Sequence, residues 1–161
     1  MPSNDLPGRY YEEVFYDKEI EPPFPQTGFQ ATFDSFDVGK HALKIDHTIA
    51  VIARLVPLLK ENGIAQIFVF GAASHTGGHD FNFRLARFRQ EELINALVDA
   101  GFPSDGIYPS EPDEGDLHED GVVAEHKRHR SASVVIDGLA FQGDMPAVLY
   151  PPPQGMDDES D

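Results

Sequence analysis

The chain has 161 residues, with 28 acidic and 12 basic side chains, a net charge of −16 and no cysteine. That length suits one domain with a real core. The charge argues against non-specific nucleic-acid binding, which needs a basic footprint, and the missing thiols remove disulfides and thiolate metal sites.

No run reaches the roughly 18–20 apolar residues that span a bilayer, so no membrane-spanning segment is expected. The first residues lack the apolar core of a secretory signal peptide, and none is expected there. Residues 1–28 contain Pro22-Pro23-Phe24-Pro25 and no sustained periodicity. They read as an extended arm that Tyr10, Tyr11, Phe15 and Tyr16 pack onto the core. Phe29 to Phe36 is β-leaning and is taken as the first strand. Ile45, Ile49, Ile52, Val56 and Leu59 then recur at helical spacing, which predicts one stripe of an amphipathic helix. Asp46 favours the dipole at its start, Gly63 suits the position just past its end, and Pro57 predicts a kink.

Ala65 to Phe70 is a continuous apolar run, the pattern of a buried strand. Phe81, Leu85, Phe88, Ala96, Leu97 and Ala100 predict a second helical face, ended by Gly101. Ile107-Tyr108 opens another strand, residues 109–121 read as a solvated acidic loop, and Ser131 to Ile136 as the last strand. Residues 139–161 form a Pro-rich acidic tail. Strands alternating with helices predict an α/β sandwich with helices on one sheet face.

Half of the basic residues sit in two clusters, Arg84/Arg87/Arg89 and Lys127/Arg128/Arg130. The first belongs to the stretch Gly71-Ala-Ala-Ser-His-Thr-Gly-Gly-His-Asp-Phe-Asn-Phe-Arg-Leu-Ala-Arg-Phe-Arg89. Here a strand ends, a glycine-rich turn follows and a helix begins. Backbone N–H groups, a helix N-terminus and guanidinium groups gather at one place, an arrangement suited to an anionic ligand.

The same stretch resembles the OmpA-like (OmpA/MotB C-terminal) peptidoglycan-binding family. That family has a strand ending in Gly-x-Thr-Asp, a turn glycine, then Asn-x-x-Leu-Ser-x-x-Arg-Ala on a helix. Gly71, Gly77, Asn82, Leu85 and Arg89 match this pattern without gaps. Ala86 stands where serine is usual and Gln90 where alanine is usual. Downstream, His129-Arg130-Ser131-Ala132 takes the place of Asn-Arg-Arg-Val. The resemblance implies an OmpA C-terminal-like α/β sandwich with a mixed sheet over residues 29–138, binding the stem peptide of peptidoglycan without catalysis. It also implies that Ser74, Gly77, Asn82, Arg89 and Arg130 line the ligand site.

The chain diverges from the family at one decisive position. The aspartate that, with the helix arginine, clamps diaminopimelate falls on Ser74, and the preceding threonine on Ala73. Arg89 retains the means to bind a carboxylate, but Ser74 offers only a neutral hydroxyl to the ammonium group. Losing a charged partner of this kind costs about 1.5–3 kcal/mol, or about 10- to 150-fold in affinity. Asp80, a turn away in sequence, is the nearest replacement carboxylate.

Each of these residues also has a structural reading. Arg89 suits carboxylate recognition or an ion pair within the fold, Gly71 and Gly77 suit backbone conformation, and Asn82 suits a loop-to-helix hydrogen bond. Arg130 suits the pocket or a solvated strand start. His75, His79 and Asp80, with His126 and His129 downstream, offer a zinc or nickel site as a secondary expectation. No nucleophile elbow, Walker lysine or His-Glu-x-x-His helix is present, and neither an enzyme nor a cofactor is expected. Two functions remain open. One is a wall-binding module of the periplasm or cell envelope, with stem peptide as partner. The other is an adaptor with a protein partner, in an envelope-associated or phage-like assembly or in the cytoplasm.

Overall fold

The computed structural model describes residues 8–16, 26–37, 39–73, 79–110, 130–137 and 150. Among them, five strands form one mixed sheet in the order β1-β2-β5-β3-β4. The strands are β1 (Arg9–Tyr16), β2 (Gln26–Asp34), β3 (Ile67–Ala72), β4 (Ile107–Pro109) and β5 (Ser131–Asp137). Between β2 and β3 lies β5, antiparallel to both, while β4 runs parallel to β3. A parallel pair needs a crossover, which α3 (His79–Asp99) supplies. Two shorter helices, α1 (Ile45–Ala50) and α2 (Val56–Glu61), connect β2 to β3. No helix among the described residues is long and apolar enough to cross a membrane.

Alternation along the strands builds the core. Phe29, Ala31 and Phe33 of β2, Ile67 and Val69 of β3, and Ala132, Val134 and Ile136 of β5 face the helices. They meet Leu55, Val56 and Leu59 below, and Leu93 and Leu97 of α3. The sheet is mixed and helix-covered, as the α/β sandwich expectation requires.

Three local expectations change. The first strand is Arg9–Tyr16, within the stretch read as an extended arm, and it pairs along its whole length with β2. Its alternation is hidden because Tyr10 and Tyr11, and then Val14 and Phe15, place bulky apolar groups on both faces. Tyr10 packs its ring 4.8 Å from Phe33, and Tyr11 is buried, whereas Phe15 stays exposed.

The isoleucine stripe does not enter the core as one face. Between α1 and α2 lies a π-turn, Val51–Leu55, in which the Val56 N–H bonds the Val51 carbonyl five residues back. Pro57 has no N–H to extend an ordinary helical ladder, so its kink is expressed as this wider turn. The turn rotates the face presented to the sheet. Val56 and Leu59 are buried as expected, but Ile45, Ile49 and Ile52 stay outside, and His47, Ala50, Val51 and Leu55 take the interior positions.

On α3 the expected apolar face is likewise rotated. Leu85 and Leu97 are buried as expected, but Phe81 and Phe88 are exposed, and Asn82, Ala86, Arg89, Gln90 and Leu93 complete the buried stripe. Polar side chains can occupy a buried face only where hydrogen bonds await them. They do so here at the end of α3 nearest the glycine-rich turn.

Candidate functional site

The end of β3, the first three turns of α3, the loop after β2 and the start of β5 meet at one corner. Gly71 explains how α3 comes so close. A Cβ there would lie 2.0 Å from the Ala86 carbonyl oxygen and 3.0 Å from the Gln90 nitrogen, both backbone atoms. The glycine is therefore required by close helix–strand approach rather than by an unusual backbone angle. Ala86, in the family's serine position, is fully buried, as is Ala73 in the threonine position, and both cluster with Leu85.

Among the described residues, Arg89 is the largest fully buried side chain. Its Nε–H donates to the Lys40 carbonyl (2.8 Å), Nη1 to the Ala72 carbonyl (3.0 Å) and Nη2 to the Asp37 carbonyl (3.2 Å). Its guanidinium carbon lies 5.2 Å from the centre of the Phe36 ring. Arg130, also buried, donates from Nε to the Phe36 carbonyl at 2.6 Å, while the Phe36 N–H donates to the Arg130 carbonyl at 3.2 Å. Two arginines, 41 positions apart in the sequence, thus clasp one short loop.

A histidine holds the far side of that loop. His47 is fully buried, stacks on Phe36 at 4.8 Å and meets the edge of Phe33. Its Nδ1 accepts the Lys44 backbone N–H (3.0 Å), so Nε2 carries the proton and donates to the Asp34 carbonyl (2.7 Å). Burial drives its pKa down to about 4, and Lys44 adds to the shift, against opposing hydrogen bonding from Asp34. A Cβ at Gly8 would collide with the imidazole. The ring is sealed in place as a neutral group.

Gln90 has a role that sequence matching did not suggest. Its Nε2 donates to the Val69 carbonyl (2.8 Å) and the Ser110 carbonyl (2.6 Å), tying β3 to the end of β4. Its place one turn beyond Ala86 and beside Arg89 was the available signal. Of the expected ligand residues, Asn82, Arg89 and Arg130 are buried, and Arg89 and Arg130 converge on the loop. Ser74 and Gly77 lie outside the described residues, as do His75, His126 and His129. Asp80 is exposed in the first turn of α3. Among the described residues, no group of three His, Asp or Glu is placed to hold a metal ion.

No family model and no curated protein matches the chain by sequence. Solved structures do match by shape. The OmpA-like domain of FopA1 from Francisella tularensis shares 18% identity over 79% of this chain and 80% of that one, with a TM-score of 0.55. The periplasmic domain of Helicobacter pylori MotB shares 12% over 78% and 86%, with a TM-score of 0.56. The chain has the OmpA-like fold. The peptidoglycan-associated lipoprotein from Burkholderia pseudomallei has the fold too, at 18% identity over 68% of this chain and 88% of that one, with a TM-score of 0.52. In this OmpA-like fold the arginine at the corner between β3 and α3 is fully buried and donates to the protein's own backbone.

Proposed function

We propose that the chain is a non-catalytic peptidoglycan-binding module that takes the stem peptide at the corner between β3 and α3. The supporting observation is that buried Arg89 and Arg130 converge on the loop after β2, in a chain that carries the OmpA-like pattern of Gly71, Gly77, Asn82 and Arg89 and whose fold is shared with a peptidoglycan-associated lipoprotein and a periplasmic domain. In this reading a diaminopimelate carboxylate reaches Arg89 by displacing the Asp37 and Lys40 carbonyls, exchanging neutral acceptors for a charged one. Ser74 and Gly77 line the turn, Asn82 supports it, and Arg130 holds the displaced loop through Phe36.

The complete burial of Arg89 supports a second reading. If its three carbonyl bonds are permanent, the arginine is a structural pin, and the fold serves as a platform for a protein partner. The two readings separate in one experiment. Calorimetric titration with a diaminopimelate-containing stem peptide is run on the native chain and on Ser74→Asp, which restores the carboxylate at the family's clamp position. The wall-binding reading expects saturable binding, tightened roughly 10- to 150-fold in Ser74→Asp. Absence of binding to both proteins at millimolar peptide, with both folded, retires it in favour of the platform.

A further inference from the structure

The exposed isoleucines of α1 and of the π-turn after it have no role in either the core or the corner that Arg89 occupies. Ile45, Ile49 and Ile52 remain 74%, 55% and 58% exposed, on one helical face. An isolated exposed isoleucine is ordinary, but three in line are an apolar stripe. The π-turn, which contains Ile52, directs Val56 and Leu59 inward and leaves the stripe outside.

The stripe runs into a groove. Ile52 is one wall of a cavity of about 360 Å³ between the Leu43–Ile52 segment and α3, where Ala96 and Ala100 form the opposite wall. Glu92 and Asp99 stand along the α3 side, and Asp46 lies beside the stripe on α1. Small residues on and just past α3 open the groove, Val51 and Ile52 with Thr48 line the facing wall, and Glu92 and Asp99 stand at the rim.

These features define an occupant. Most of the lining is helical, and Ala42 and Leu43, which precede α1, belong to no strand, so no strand edge is offered for pairing. A segment entering the groove must satisfy its own backbone, as a helix does. From Ile45 to Ile52 the stripe extends about 10 Å, the length of roughly two helical turns. The acidic rim, on a chain of net charge −16, selects a cationic partner and opposes a second copy of itself. We infer that the groove between α1 and α3 is a docking site for a basic amphipathic helix of another protein. Its apolar face covers Ile45, Ile49 and Ile52, and its lysines or arginines meet the exposed Asp99 and, beside its contact with His41 at 3.0 Å, Glu92. This site is separate from the corner at Arg89 and does not depend on whether peptidoglycan binds there.

The test uses the whole chain and a fluorescein-labelled synthetic helix of about 15 residues, with leucines at i, i+3, i+4 and i+7 and lysines flanking them. Fluorescence anisotropy at about 150 mM salt is expected to show saturable binding. Ile52→Glu should weaken it roughly tenfold or more, with its urea midpoint confirming that the variant folds. Phe68→Ser, on the opposite sheet face, should leave it unchanged, and a peptide with glutamates in place of lysines should not bind. Equal affinity for Ile52→Glu and the native chain would overturn the proposal, because attraction would then be a matter of net charge. So would absence of binding. Sedimentation that shows a dimer abolished by Ile49→Glu would overturn it too, by assigning the stripe to a second copy.

Discussion

Two arginines, one half-buried and one fully buried, are held in opposite ways. Arg54 meets a carboxylate: its Nε and Nη2 donate to the two oxygens of Glu12, each at 2.7 Å, on the β1 side of the sheet. Tyr10 donates to the same carboxylate, the Tyr150 N–H adds a bond at 3.0 Å, and the Tyr150 ring lies under the Arg54 guanidinium at 4.7 Å. Burial alone would push the Glu12 pKa up, but the hydrogen bonds from Arg54, Tyr10 and Tyr150 prevail and hold it below the usual carboxylate value. Among the described residues, Arg89 donates to three backbone carbonyls, at positions 37, 40 and 72. One arginine neutralises a buried charge, and the other organises a loop. Acid can neutralise Glu12 and so break its pairing with Arg54, whereas the carbonyl bonds of Arg89 break only when the backbone moves.

The largest expected effect tests the loop arginine. Arg89→Ala removes three charge-assisted bonds and leaves their carbonyls to find water, at a cost of about 4 kcal/mol in urea-unfolding stability. A change below about 1 kcal/mol would show that the carbonyl contacts do not hold the fold, and would favour a guanidinium kept ready for a ligand.

Acid should act on the same loop through His47. Its pKa is about 4 in the folded chain and about 6.5 unfolded, so between those values the unfolded state binds more protons. The stabilisation is therefore complete above about pH 6.5 and is lost as pH falls towards 4, by about 3 kcal/mol in total. Asp34 works against this, since burial raises its pKa despite the Arg9 hydrogen bonds. Stability measured across this window should fall in the native chain and be flatter in His47→Leu. Equal slopes would remove His47 as the cause.

The carboxylate-paired arginine should give the smallest effect. Glu12→Gln deprives Arg54 of its charge partner while keeping the shape, and because Arg54 remains partly exposed the expected loss is about 2 kcal/mol. Combining it with Arg54→Met should recover part of that loss, because no cation is then left unpaired. A double variant weaker than the sum of the singles would contradict the pairing.

Local sequence determined a good deal. Apolar runs marked β2, β3 and β5, Gly63 and Gly101 marked helix ends that do adopt positive φ (65° and 108°), and Pro57 marked the break in its helix. The ungapped spacing from Gly71 to Arg89 indicated the OmpA-like fold, because strand end, turn and helix start are encoded within one short segment. What local pattern did not carry was the assignment of inside and outside. Ile45, Ile49 and Ile52 are as apolar as Leu55 and Leu59, yet only the π-turn and the position of the sheet decide which are buried. Arg89 was legible as a functional candidate but not as a buried one, because its partners at Lys40 and Asp37 lie about fifty positions away. Hydrogen-bond acceptors on the backbone look the same at every residue in a sequence. Only the folded chain brings particular carbonyls within reach of a particular guanidinium, and that choice belongs to the tertiary structure.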